Sequence, residues 1–220
     1  MPHKHIDENY YTNVRHEILP LLPTHCDKVL DIGCGDGSTL MWLKDVKKCS
    51  WIGGVEIVPD AAEKARKKLD MVYEGNIDAM DLPLERSSLD LILCLDVLEH
   101  LIDPWSVTRR IQNLLKPGGA LIVSVPNVRC KRVLLPLLFH GKWEYADQGI
   151  LDRTHLRFFV RDSAIDLVEG AGLRVDMVDV TGGIARGSKA RFMKAVLPNG
   201  IMSFFARQYL IRGIKPDNQV

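Results

Sequence analysis

The sequence predicts an α/β protein built on one open, doubly wound, mostly parallel sheet with helices on both faces. Three observations carry that expectation. Short apolar runs alternate with helical patterns along most of the 220 residues. The first strong run, residues 28–32, breaks into glycines at alternate positions, Gly33-Cys34-Gly35-Asp36-Gly37, before a helical pattern begins at Thr39. A Lys116-Pro117-Gly118-Gly119 turn leads into another continuous apolar run, residues 120–125.

The elements follow in order. Residues 7–22 read as an amphipathic helix, with Tyr10, Tyr11, Val14 and Ile18 on one face and a stop at Pro20 and Pro23. The first strand is 28–32. The second is 51–56, ending in Glu56, and a helix over 59–69 follows with proline in its first turn. The third strand, 71–74, runs into Gly75-Asn76-Ile77-Asp78. The fourth, 89–95, is almost wholly apolar, and its length suits a buried strand. Asp96-Val97-Leu98-Glu99-His100-Leu101 comes next, then a helix over 104–115, the glycine turn and the fifth strand at 120–125. Residues 128–150 break the alternation with a basic, strongly apolar segment. A helix over 162–170, a sixth strand over 173–180 and a last strand near 208–212 complete the chain.

Composition bounds the function. Net charge is +1, so no bulk electrostatic attraction to nucleic acid is expected. The first residues lack an apolar signal-peptide core, and no apolar run reaches membrane-spanning length. Five scattered cysteines without a C-x-x-C pair are expected to be reduced thiols of a cytoplasmic protein. No repeat or linker divides the chain, so residues 1–220 are expected to form a single domain. Residues 1–25 would be an N-terminal cap and 128–160 a substrate-side insert.

The glycine turn is the informative stretch. A turn of this kind lets a ligand lie against bare backbone, with helix N–H groups aimed at it. A dinucleotide fingerprint would place its third glycine three residues after the second. Here the glycines are 33, 35 and 37, and Asp31 stands two residues before the first. A pyrophosphate would be repelled by that charge, whereas a cationic ligand would be attracted. Glu56, at the end of the second strand, can accept both hydroxyls of a ribose.

The segment Asp31-Ile32-Gly33-Cys34-Gly35-Asp36-Gly37, with Glu56 and the Lys-Pro-Gly-Gly turn, resembles the class I S-adenosylmethionine (SAM) methyltransferases. The resemblance covers most of the chain. It implies a Rossmann-like sheet of seven strands with the last antiparallel. It also implies SAM binding by Arg15, Asp31, Gly33, Gly35, Gly37, Glu56, Ile57, Asn76, Ile77 and Leu95. Arg15 would be a partner for the SAM carboxylate, from a leading helix that closes over the cofactor. Asn76 stands where the family usually has an acid that accepts from the adenine amine, with Asp78 as a substitute. The outer motifs are Tyr10-Tyr11, Glu99-His100-Leu101 with Asp103-Pro104-Trp105, and residues 149–159. They are similar to bacterial methyltransferases of sugar and surface-polysaccharide pathways.

A second cluster carries chemistry. On a helix, Asp96, Glu99 and His100 at i, i+3 and i+4 would share a face beside the expected methyl group, with His155 entering from the strand-five side. Such a set could hold a divalent cation, Mg²⁺ or Mn²⁺, or could serve as acid–base groups. The acid-x-x-Glu-His pattern resembles metal-dependent O-methyltransferases of the ubiquinone pathway and of small-RNA ends, with Asp96 in place of their first glutamate. Glu99, His100 and His155 are therefore the candidate catalytic residues.

The expected activity is transfer of a methyl group from SAM to a hydroxyl of a small or glycan-type acceptor. The alternatives are a metal-dependent 2′-O-methyltransferase of RNA ends and a non-catalytic SAM-binding partner protein. Nucleic acid ranks lower as a partner, because no long basic stripe with interleaved aromatics is present. Residues 181–215 contain seven Lys or Arg and no acid, and residues 128–142 contain four and no acid. That asymmetry points to an anionic acceptor or to peripheral membrane contact, with a homodimer contact as the other use of the apolar residues.

Overall fold

A computed structural model of the chain describes residues 13–182 and 203–217. Its sheet has seven strands: β1 (Lys28–Ile32), β2 (Trp51–Glu56), β3 (Met71–Glu74), β4 (Leu89–Leu95), β5 (Leu115–Pro126), β6 (Arg174–Thr181) and β7 (Gln208–Ile214). The helices are α1 (Ser38–Lys47), α2 (Pro59–Arg66), α3 (Pro104–Ile111), α4 (Lys131–His140) and α5 (Arg161–Glu169). Spatial order is β3-β2-β1-β4-β5-β7-β6. Neighbours from β3 to β5 pair in parallel, whereas β7 runs antiparallel to both β5 and β6. The expected seven-stranded, doubly wound sheet with an antiparallel last strand is the observed one.

Period-two alternation divides the core between the two faces of the sheet. Leu30, Ile32, Ile92, Cys94, Leu121 and Val123 pack on one face with residues of α3 and α5. Val29, Leu91, Leu93, Ile122 and Leu210 pack on the other with α1 and Ile18. Because both faces are covered, β1 and β4 can be almost continuously apolar.

The winding reverses at β1. The chain passes to β2 and β3 on one side, then returns to β4 on the other. The crevice beyond the carboxyl ends of β1 and β4 is the place where such sheets bind ligands.

Some boundaries differ from the sequence reading. The leading amphipathic helix over 7–22 is not what the described part forms. Residues 13–15 are irregular and His16–Leu21 is a 3₁₀ helix with Pro20 inside it, while residues 1–12 lie outside the described residues. Proline cannot supply the N–H that a continuing α-helix needs. Strand β5 begins at Leu115 rather than 120, because the Lys-Pro-Gly-Gly turn is a bulge within it. The register jumps from Leu89 opposite Leu115 to Leu91 opposite Ala120. Helix α2 stops at Arg66, which frees Leu69 to pack over Gly37. The apolar run over 192–205 lies mostly outside the described residues.

The turn after β1 shows why its glycines are there. Gly33, Gly35 and Gly37 have φ of +77°, +55° and +82°, in the left-handed region that L side chains disfavour. A Cβ on Gly33 would lie 2.4 Å from Cγ2 of Val97 in the segment after β4. Backbone conformation and close approach to β4 therefore both demand glycine at 33. Gly33→Ala is expected to destabilise the fold by about 2–4 kcal/mol, from left-handed strain plus overpacking. Adding Val97→Ala should recover the overpacking part only. Denaturant titration of the single and double variants measures both; equal stability of wild type and Gly33→Ala would refute the contact.

Candidate active site

The carboxyl edge of the sheet collects a set of acids. Asp31 is the next-to-last residue of β1, Glu56 ends β2, and Asp96 and Glu99 follow β4. Asp31, Glu56 and Glu99 are buried, and Asp96 is part-buried. The sequence pattern placed these residues at strand ends, and the structure brings the ends together.

Glu56 is held rigidly. Its Oε2 accepts the Gly35 amide at 2.8 Å and its Oε1 accepts the Val58 amide at 2.9 Å. Each oxygen keeps a further lone pair, so the carboxylate could still take the two hydroxyls of a ribose. Ile57 beside it is exposed, as an apolar platform for a flat ring would be. Asn76 and the buried Ile77 follow β3, and Leu95, also buried, ends β4. The Asn76 carbonyl oxygen accepts the Asp78 amide. The Asp78 carboxylate accepts the amides of Ile102 at 3.0 Å and Asp103 at 3.4 Å, one on each oxygen, and so staples the two loops.

Asp31 is different. Its Oδ1 is buried and has no hydrogen-bond partner among the described residues. Burial pushes its pKa up to about 8; nearby Arg15 opposes the rise and Glu56 adds to it. A buried carboxyl with an unused oxygen beside a glycine turn is suited to accept from a ligand cation. With the rigid Glu56 carboxylate and the left-handed turn, the residues present fit SAM, which bears an ammonium group, a sulfonium and a ribose.

Arg15 is already engaged. Its guanidinium donates to Asp96 at 2.6 Å, to Ser124 at 3.3 Å and to Glu17. Its backbone N–H donates to Thr39 at 3.3 Å, which ties the segment before the 3₁₀ helix to α1. Burial would lower its pKa, but Asp96 and Glu17 raise it above the ordinary arginine value. The guanidinium is thus bound to Asp96, and a SAM carboxylate would have to share or displace that contact.

The expected helical face of Asp96, Glu99 and His100 does not form. Asp96 has φ of +56° and Val97 is also non-helical; only Leu98–His100 makes a 3₁₀ turn. The Asp96 carboxylate consequently points to Arg15, to the Ser124 hydroxyl at 2.7 Å and to the Gln208 amide at 2.8 Å. It leaves the cluster that the sequence pattern assigned to it as a metal ligand. Ser124 and Gln208 went unnoticed in the sequence, because contacts of this span leave no local pattern.

Glu99, His100 and His155 do converge. One ligand atom from each lies within 4.8 Å of the others. The two imidazoles meet edge to face with centroids 4.7 Å apart. Both Glu99 oxygens are buried without a partner among the described residues, and burial, with Asp96 nearby, holds its pKa well above the carboxylate range. Hydrogen bonds to residues 150–154 orient both rings. Thr154 donates its hydroxyl to Asp152 at 2.7 Å, so its oxygen accepts from His100 Nδ1 at 3.0 Å. Nδ1 of His155 donates to the Ile150 carbonyl at 3.0 Å. These bonds occupy Nδ1 of each ring and make Nε2 the nitrogen open to a proton or a cation. Burial and the neighbouring His155 lower the His100 pKa, which favours its neutral form. The Asp152-x-Thr154 spacing was the one local sign of this support.

Fold and site together define a SAM-dependent methyltransferase. The profile of one protein family, described as a methyltransferase domain, matches residues 4–178, and the chain belongs to that family. It is 26% identical over 200 residues to a ubiquinone biosynthesis O-methyltransferase of Azoarcus sp. (strain BH72), covering 81% of this chain and 84% of that protein. It is 30% identical over 127 residues to the 27-O-demethylrifamycin SV methyltransferase of Amycolatopsis mediterranei, covering 53% and 45%. Its fold matches a SAM-dependent methyltransferase from Archaeoglobus fulgidus with a TM-score of 0.67 at 19% identity, over 91% of each chain. The two sequence relatives are named for ubiquinone and rifamycin pathways, not for the sugar and polysaccharide pathways that the outer motifs resembled.

Asp31 provides a test that separates stability from binding. The unfolded chain gives up the Asp31 proton near pH 3.8 and the folded chain near pH 8. The stability contributed by the neutral carboxyl is therefore complete below pH 3.8 and is lost as pH rises through about 8. Asp31→Asn should match wild type in melting temperature near pH 4. At pH 8 its unfolding free energy should exceed that of wild type by on the order of a few kcal/mol, while it binds SAM more weakly. Melting curves across pH and titration calorimetry check it; unchanged SAM affinity would remove Asp31 from the site.

Proposed function

We propose that the protein methylates a hydroxyl oxygen of a small-molecule or glycan-type acceptor, with His155 as the base. The observation that carries this reading is the His155 ring. Its Nδ1–H is fixed on the Ile150 carbonyl, so Nε2 is the nitrogen that would take a proton, and the ring lies with Glu99 and His100 in one cluster. The names of the ubiquinone and rifamycin relatives, both O-methyltransferases, support oxygen over nitrogen or carbon.

When bound, SAM supplies a methyl group already activated on a sulfonium. The chain's contribution is alignment and proton management. Asp31, the 33–37 turn and Glu56 hold the cofactor at the β1 and β2 ends. His155 Nε2 takes the hydroxyl proton as the acceptor oxygen forms its bond to the methyl carbon and the carbon–sulfur electron pair stays on sulfur. The His100 ring, held by Thr154, packs against His155 and limits its rotation.

A second reading is favoured by one specific observation, the two unpartnered, buried oxygens of Glu99. Glu99, His100 and His155 fit a divalent cation such as Mg²⁺ or Mn²⁺, with one carboxylate and two neutral imidazoles as donors. It would supply Lewis acidity toward the acceptor hydroxyl. Asp96 takes no part, because its carboxylate is committed to Arg15, Ser124 and Gln208.

Turnover assays with and without a strong chelator distinguish the readings. As base, His155→Ala should lose about 10²–10⁴ in kcat with SAM affinity unchanged, and chelation should have no effect. As cation site, chelation should abolish turnover and added Mn²⁺ should restore it. Glu56→Ala should weaken SAM binding by about 1–3 kcal/mol in calorimetry, through loss of charge-assisted hydrogen bonds. Full activity of His155→Ala would refute both assignments of that residue.

A further inference from the structure

The segment after β5 contains a helix that the chemistry of the site does not use. Helix α4 has ten residues, and Val133 is the one that is buried. At helical spacing Lys131, Arg132, Leu135, Leu138 and Phe139 fall on one stripe, opposite Val133. That stripe faces out: Leu135 is 36% exposed, Leu138 68% and Phe139 69%. Lys131 and Arg132 occupy its first turn, Leu135 its middle, and Leu138 and Phe139 its last turn.

The charge is one-sided. Residues 128–142 hold Arg129, Lys131, Arg132 and Lys142 and no acid, on a chain of net charge +1. Lys142 pairs loosely with Glu144 at 3.8 Å. Lys131 sits over the Phe205 ring at 4.9 Å. Cations in the first turn of a helix are disfavoured by its dipole, so helix stability does not account for Lys131 and Arg132 there.

We propose that α4 lies on an anionic lipid bilayer, with Leu135, Leu138 and Phe139 in the interface and Arg129, Lys131 and Arg132 on the acidic headgroups. A basic helix end beside an exposed apolar stripe complements a surface that is negative outside and apolar beneath. At ten residues the helix is about 15 Å long, half the hydrocarbon thickness, so it lies on the membrane and does not cross it. Among the described residues no helix is long and apolar enough to span.

The position in the fold gives the docking a use. Helix α4 starts five residues after β5 ends, at the same edge as the candidate site. A chain of ring contacts continues from the segment behind it: Trp143 to Phe158 at 5.3 Å, Phe158 to His155 at 6.4 Å, His155 to His100 at 4.7 Å. A molecule seated through α4 holds the mouth of its site near the bilayer, where an amphiphilic acceptor would be concentrated. The docking itself does not depend on which acceptor the site takes.

The test is co-sedimentation of the full chain with vesicles of phosphatidylcholine alone and with added phosphatidylglycerol, at low and high salt. Binding is expected on the anionic vesicles, absent on the neutral ones and weakened by salt. Arg129→Gln, Lys131→Gln and Arg132→Gln together should weaken it about 100-fold, at about fivefold per basic residue. Leu138→Ser with Phe139→Ser should also release the protein, while SAM affinity by calorimetry stays unchanged as the check on folding. Equal binding to both vesicles, no binding to either, or an undiminished triple-glutamine variant would overturn the proposal. So would a dimer in sedimentation velocity that the serine variant converts to monomer, since a second copy would then be the occupant.

Discussion

The organising constraint is charge burial at one edge of the sheet. Asp31, Glu56 and Glu99 are all nearly inaccessible to solvent, and Asp96 stands among them. Arg15 is bonded to Asp96, and its field also opposes the raised pKa values of Asp31 and Glu99. Among the described residues, this one guanidinium does not compensate so many carboxyls in a medium of low polarity. The edge is therefore short of positive charge, and the partners it lacks are what a sulfonium ligand with an ammonium group, or a divalent cation, would provide.

The acids are kept in place by devices with different energetic logic. Glu56 is satisfied by two backbone amides and acts as a fixed part of the floor. Asp96 is satisfied by three side chains from remote parts of the chain, and it adopts a left-handed backbone that a residue with a side chain normally avoids. Asp31 and Glu99 keep unpartnered oxygens. Satisfied groups position; unsatisfied groups bind. The division separates the residues that build the site from those that face a ligand, even though all four are carboxylates at strand ends.

The opposite economy holds at α4. There the apolar surface, not the polar surface, lacks partners, and the compensating medium would be outside the molecule. Both features arise from the same topology. Strand β5 delivers its chain to the edge where β1, β2 and β4 also end, so the catalytic groups and the exposed helix open on one side.

Much of this was legible in the sequence. The strands β1 to β4 have the boundaries that alternation and apolar runs gave them; β1 and β4, covered on both faces, are the ones that must be almost continuously apolar. The glycine turn and the acids at the ends of β1 and β2 were readable for the same kind of reason: a left-handed backbone demands glycine, and a carboxylate beside such a turn needs a cation. The pairing of Glu99, His100 and His155 was visible as a pattern. What the sequence could not determine was direction. Asp96 lies three residues before Glu99, as a helical face would require, yet its left-handed φ turns it to Ser124, Gln208 and Arg15. Those partners come from β5, β7 and the segment before β1, and only the assembled sheet brings them within hydrogen-bond distance. Whether a carboxyl is left orphaned or satisfied, and which nitrogen of a histidine keeps its lone pair, depends on such long-range neighbours, so the tertiary structure alone decided it.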